Sequence, residues 1–368
     1  MSETVFQPDW FSRPGNTLSE MMRDCDLDTH ALAGRLGCDR MTVRGLLTGA
    51  RPIDAPMAEA LSAVVGGTPG FWCRRQEGYD RSLSRVAASI PSDRARKWVC
   101  SLPVAEMAIS GWIERPSGQD ASLRTLLAYF GVNGPDDWER RYADFSRDLI
   151  FRTSRSFESK IGPLAAWLRQ AEIEAGVLPC ARWNPQALVE RLPAMRKLVT
   201  VKNPAVFLRQ LRALCAEAGV ALVTLRAPSG CRASGATRFL SAERAMIVLS
   251  FRHLSDDHHW FTFFHEIAHL VLHGDAGTFV DVDDTANEGR EMEANTFAAD
   301  LLIPPRRREE MLSLGSNAKA IIRFAVQIGV SPGVVVGQMQ HAGVLMQRQM
   351  QGLRRRYRAD EIRAAAGV

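Results

Sequence analysis

Hydrophobic and polar positions change period along the chain, and the changes divide it into regions. From residue 18 to about residue 80, apolar residues recur three and four apart between turn signals, as in short amphipathic helices. The pattern predicts a helix over 18–24 and a second from Thr29 to Leu36, broken at Gly37-Cys38. Asp39 caps a third that runs to Thr48 and stops at Gly49. A fourth starts at Asp54-Ala55-Pro56 and a fifth at Thr68-Pro69. Leu32, Leu36, Val43, Leu46 and Leu47 form the shared core of two crossing helices, which is helix-turn-helix spacing. Residues 81–199 keep a helical period, with Trp98, Trp112, Trp138 and Trp167 as bulky apolar members, and read as a helical connector. Beyond Pro204 the period shortens: 221–225, 236–240 and 245–250 are predicted strands. Helices resume at Trp260, at Glu291 and over 318–340, and a basic tail, Arg354-Arg355-Arg356-Tyr357-Arg358, follows, read as a solvated helix end or a contact for nucleic acid or an acidic partner. The expected fold is mainly α with a small β-sheet, of α+β class. Its parts are a helix-turn-helix domain at 1–80, a connector at 81–199, a mixed domain at 200–340 and a tail at 341–368.

Composition adds limits. A chain of 368 residues with 46% hydrophobic and 24% charged residues is ordinary globular material for two or three domains. No apolar run approaches the roughly 18 residues of a membrane span, and the N-terminal residues lack a signal-peptide pattern. The expectation is a cytoplasmic protein without a membrane partner. Seven scattered cysteines with no C-x-x-C fit free thiols in a reducing compartment. The net charge of +5 is unevenly spread. Residues 16–80 carry 7 basic against 9 acidic side chains, and residues 251–304 carry 2 against 11. Much of that acidity lies between Gly274 and Asp284, read as a solvated loop or a face for a basic substrate.

The chemistry concentrates in His265-Glu266-Ile267-Ala268-His269. Residues four apart on a helix lie one above the other, so both imidazoles can reach one ion. That is the spacing of a zinc hydrolase, with Glu266 one step round as the proton acceptor. A catalytic zinc needs a third protein ligand. Glu291 is the choice, because it shares a helical stripe with Ala294, Asn295 and Ala298; Glu293, on another side of the same helix, is the substitute. Asn295 is placed to hydrogen-bond a ligand, and His273 to cap the helix end, contact an oxyanion or support a ligand from behind. Cys231 is weighed as a latent ligand against a loop thiol, and His258 and His259 read as surface polar residues at a helix start. Phe151-Arg152-Thr153-Ser154-Arg155-Ser156-Phe157 is either an anion site or a set of ordinary ion-paired arginines.

HEIAHLVLHG, followed by EMEANTFAADLLIP, resembles the ImmA/IrrE family of metallo-endopeptidases over roughly residues 200–340. The resemblance implies a gluzincin-like zinc peptidase domain that cleaves a repressor or antitoxin-type protein under stress. His265, His269 and Glu291 would hold Zn2+ and Glu266 would be the general base. The first 80 residues resemble the XRE-type helix-turn-helix of phage repressors and of HigA-like antitoxins. That resemblance implies DNA binding through residues 16–80. Arg40, Thr42 and Arg44 would meet base edges and Arg51 a phosphate, although the region is slightly acidic and a protein-binding bundle stays open. The alternative for the whole chain is a non-catalytic antitoxin or transcriptional regulator whose zinc domain senses a signal or mediates dimerisation. Formation of a homodimer is left open.

Overall fold

The computed structural model describes residues 12–142, 161–274 and 284–366. It divides into two compact units: Met1–Val177 with Pro228–Cys231, and Leu178–Ala227 with Arg232–Val368.

The first unit begins with five helices, α1 (Pro14–Asp24), α2 (Thr29–Leu36), α3 (Arg40–Thr48), α4 (Ala55–Val65) and α5 (Pro69–Ser89). Three of them start in the same way. The carboxylates of Asp28, Asp39 and Asp54 accept the backbone N–H groups of Ala31, Thr42 and Met57 at 2.7, 2.6 and 2.9 Å, each satisfying a donor the helix leaves bare. Gly37 and Gly49 close α2 and α3 in the left-handed conformation. Leu18, Leu32, Val43, Leu46, Leu61 and Trp72 form the bundle core. Helix α5 continues unbroken across residue 80 into the connector region. There α6 (Ser92–Ser101), α7 (Val104–Ile109) and α8 (Gln119–Phe130) follow, and Trp98, Phe130, Trp138 and Tyr142 interlock in edge-to-face and tilted pairs with centroids 5.5–6.1 Å apart. Helix α9 (Ile161–Val177) completes the unit.

The second unit opens with α10 (Pro185–Lys197) and α11 (Pro204–Ala216). The sheet follows as β1 (Val220–Thr224), β2 (Gly235–Ser241) and β3 (Arg244–Leu249) in the order β1-β3-β2. β1 runs parallel to β3, with Val220 opposite Ala245; β2 runs antiparallel, with Thr237 opposite Ile247. β1 and most of β3 are wholly buried, as continuous apolar strands should be. β2 is half-buried and forms one edge of the sheet, the buried β1 the other, among the described residues. Helix α12 (Asp256–His273) packs Trp260, Phe263, Phe264, Ile267 and Leu270 into the core with Phe207, Leu211 and Ile247. Then come α13 (Asp284–Leu302), α14 (Arg308–Ser313), α15 (Ala318–Ile328), α16 (Pro332–His341) and α17 (Ala359–Ala366). Among the described residues no single helix is long and apolar enough to cross a membrane.

The start of α12 and the basic tail depart from the sequence reading, and for one reason: they cover each other. Asp256 accepts the Ser331 hydroxyl at 2.7 Å and the Arg355 backbone N–H at 3.0 Å, and Asp257 pairs with Arg354 in near-complete burial. At Gly333 an added Cβ would lie 2.3 Å from Asp256 Oδ1, so only glycine lets α16 come this near. Arg354 is therefore an interior ion-pair partner, while Arg356 and Arg358 are exposed. His259 is buried rather than superficial, stacked on Phe251 with ring centroids 4.2 Å apart. Burial holds its pKa down to about 3.

Candidate metal centre

Helices α12 and α13 build the site as a pair. Ala294 and Ala298, both fully buried, keep α13 thin where it meets α12 and bring Glu291, on the same stripe, over the histidines. His265, His269 and Glu291 each direct one ligand atom to a common point, the grouping of this kind found among the described residues. The two imidazole Nε2 atoms stand 3.0 Å apart, Glu291 Oε1 lies 3.1 Å from His269 Nε2, and Glu291 Oε2 lies 3.3 Å from His265 Nε2. Tetrahedral bonds of 2.0–2.2 Å would separate donors by about 3.3–3.5 Å, so the set fits a metal ion with little adjustment. Two facing ring nitrogens and a carboxylate this close need a shared cation, and a metal is the one that leaves both imidazoles neutral.

The atoms turned away from this point are held as well. His265 Nδ1 meets Asn295 Oδ1 at 3.0 Å, so Asn295 fixes the ring with Nδ1 as donor and frees Nε2 for the metal. His269 Nδ1 meets His273 Nδ1 at 3.3 Å, and His273 Nε2 meets Glu293 Oε2 at 2.9 Å. One assignment satisfies the whole series: His269 donates from Nδ1 to His273, which donates from Nε2 to Glu293. Both ring nitrogens of His273 are thus occupied behind the site, and it offers no contact to an oxyanion. Glu293 serves His273 instead of the metal point, and Cys231 is not among the grouped ligand residues.

Glu266 is buried on the other flank of His265. The Thr237 hydroxyl on β2 donates to its Oε2 at 2.8 Å. At Gly235, two residues earlier on the same strand face, an added Cβ would come within 2.7 Å of Glu266 Oε1. Burial raises the Glu266 pKa, against the opposing pull of His265, His269 and Thr237. Burial also presses on His265, but Glu291, Glu266 and Asn295 outweigh it and raise its pKa. Sequence reasoning missed Gly235, Thr237 and the partnership of Glu293 with His273. The signal for the first two was faint: a glycine opening a strand marks a close backbone approach, without saying to what.

The four expected DNA contacts, three on α3 and Arg51 in the turn after it, separate. Arg40 is exposed, its Nε 3.3 Å from His30 Nδ1, and Arg51 donates to the Thr42 hydroxyl at 3.2 Å, also on the surface. Arg44 instead turns to Glu174 of α9 at 3.3 Å, with 12% of each side chain exposed. The arginine-containing stretch at 151–157 and the acidic residues 275–283 lie outside the described residues.

Comparison with known proteins adds two findings. Residues 217–338, about a third of the chain, match the family model of the IrrE N-terminal-like domain, Peptidase_M78, so this segment has a metallopeptidase-type fold. The N-terminal part is similar to the uncharacterized HTH-type transcriptional regulator YddM of Escherichia coli (strain K12). That similarity is 28% identity over 87 residues, covering 24% of this chain and 90% of the relative. No solved structure matches the chain.

Proposed function

We propose that the chain is a DNA-binding transcriptional regulator fused to a zinc-dependent metallo-endopeptidase, which cleaves a repressor or antitoxin-type protein in response to stress. The observation that carries the peptidase half is Glu266: a buried carboxylate beside a three-donor metal set, held by Thr237 and ligating nothing itself. A metal kept only for structure has no use for such a group. His265, His269 and Glu291 would hold zinc; bound there, it lowers the pKa of a water and polarises the scissile carbonyl.

The rest falls to the chain's own side chains. Glu266 takes the proton of the attacking water and returns it to the leaving amine, and burial, which strengthens its hold on a proton, suits it to that second task. Thr237 keeps the carboxylate turned toward the reacting water. The outer edge of β2 beside it, unpaired with any strand among the described residues, suits an extended peptide, which would add as a further strand and bring its backbone past Glu266. Similarity to an HTH-type regulator supports the other half of the reading, with DNA bound through residues 16–80.

The test is Glu266→Gln, which preserves side-chain size and both histidines. Wild type and variant are expressed beside candidate repressors encoded nearby, whose length is followed on a gel under the inducing stress. Cleavage by the variant should fall by roughly 10²–10⁴-fold while metal content is unchanged. If wild type leaves every candidate intact and the two forms behave alike, the non-catalytic regulator takes the peptidase's place.

A further inference from the structure

Helix α3 carries its exposed polar residues toward its N-terminal end, and its C-terminal half is covered. Arg40, Met41 and Arg44 lie three and four apart, on one stripe of the helix. Arg40 and Met41 are exposed, Met41 by 43%, whereas Arg44 is closed in against α9 of the same unit. The acid that closes it is held by a polar series. The Tyr129 hydroxyl lies 3.3 Å from Gln170 Oε1; the Gln170 amide, 1% exposed, donates to Glu174 Oε1 at 3.1 Å; and that same oxygen takes Arg44 at 3.3 Å. A second tie holds the end of α9, where the Thr29 hydroxyl at the start of α2 donates to the Val177 carbonyl at 3.2 Å.

A major groove about 12 Å wide admits one helix of about 10–12 Å diameter, not a helix with another laid across its reading face. A carboxylate at Arg44 Nη1 also competes for a donor that would meet a guanine or a phosphate. We propose that the Arg44 face of α3 serves two acidic partners in turn: Glu174 of α9 holds it in the resting chain, and duplex DNA takes it when α9 withdraws. Docking of α9 and full operator binding therefore exclude each other. This rests on the DNA-binding reading given above.

The test uses the full chain. A duplex site is selected from a random pool with the Glu174→Gln variant, and its affinity is then measured for wild type, Glu174→Gln and Glu174→Gln with Arg44→Ala. Glu174→Gln should bind about tenfold tighter than wild type, the double variant should lose that gain, and α9 of wild type should lose hydrogen-exchange protection when saturated with the duplex. Should Glu174→Gln prove poorly folded by its melting temperature, Thr29→Val, which removes only the second tie, must shift affinity in the same direction. Equal affinities with unchanged α9 protection would overturn the exclusion and leave DNA binding standing. Recovery of no site by any form would overturn both, and a protein-binding bundle would take the place of the DNA reader.

Discussion

Helices α12 and α3 carry the chain's candidate site residues in opposite ways. In the second half of α12 the three imidazoles each use both ring nitrogens: His265 between Glu291 and Asn295, His269 between Glu291 and His273, His273 between His269 and Glu293. At the surface end of α3, Arg40 leans on His30, and Thr42 on Asp39 and on Arg51 just beyond the helix, in open solvent, while Arg44 alone is closed in, against Glu174. The difference teaches what each region can tolerate. Groups that orient one another in a buried site fail together, whereas exposed groups that act on a partner from separate points act additively.

The sharpest way to break this comparison is at the carboxylates of α13. Glu291→Ala should abolish stoichiometric metal binding, whereas Glu293→Gln should keep the metal but weaken its affinity about 10–100-fold through His273. Metal content and competition with a chelator measure both, and a reversed order would exchange the roles of the two residues. Next is the ion pair beneath α12. Arg354→Met leaves Asp257 buried without its partner and should cost about 3–5 kcal/mol; adding Asp257→Leu should recover much of that loss. Urea unfolding followed by hydrogen exchange in α12 would show it, and a cost of a few tenths would place the pair with ordinary surface bridges.

A smaller effect is set by pH. The folded chain holds His259 neutral down to about pH 3, but the unfolded chain protonates it below about 6.5. This contribution to stability is fully present above pH 6.5 and is lost as pH falls toward 3, by at most about 1.4 kcal/mol per unit. His259 Nε2 has no hydrogen-bond partner among the described residues, so His259→Phe should keep the stack on Phe251 and flatten this part of the stability curve. An unchanged slope in thermal melts across that range would show that His259 is not its source. The smallest expected effect is at α3 and the turn that follows it. Arg40→Ala and Arg51→Ala should each lower the salt dependence of DNA binding by about one ion, and their effects should add. Strong non-additivity would make α3 as interlocked as α12.

What was legible in the sequence follows from range. The four-residue step from His265 to His269, the stripe from Glu291 to Ala298, and the aspartates that start α2, α3 and α4 are settled within a turn or two of one helix. The strands lay within a residue of their predicted places, because their apolar runs end at turn residues. Hidden features depend on segments far apart in the chain. Asp256-Asp257-His258-His259 reads as a polar helix start, yet a segment almost a hundred residues later covers it. Glu293 looks like a spare ligand until the crossing of α12 and α13 sets it against His273. Arg44 looks like a base contact until α9 is present. The expected division at residue 80 falls inside α5, whose helical pattern carries no break there.

The clasp on the start of α12 also bears on when the second unit can mature during synthesis. Arg354 lies 97 residues downstream of the Asp257 it pairs with, and the Arg355 N–H lies 99 residues downstream of Asp256. A ribosome that has just made both histidines has not yet made the groups that neutralise and bury the acidic turn beneath them. Until they emerge, two carboxylates at the foot of α12 must stay hydrated, which holds that end of the helix open. The growing chain thus has a built-in delay: the first unit is complete by Cys231, while closure around the His265, His269 and Glu291 group waits for the C-terminal clasp.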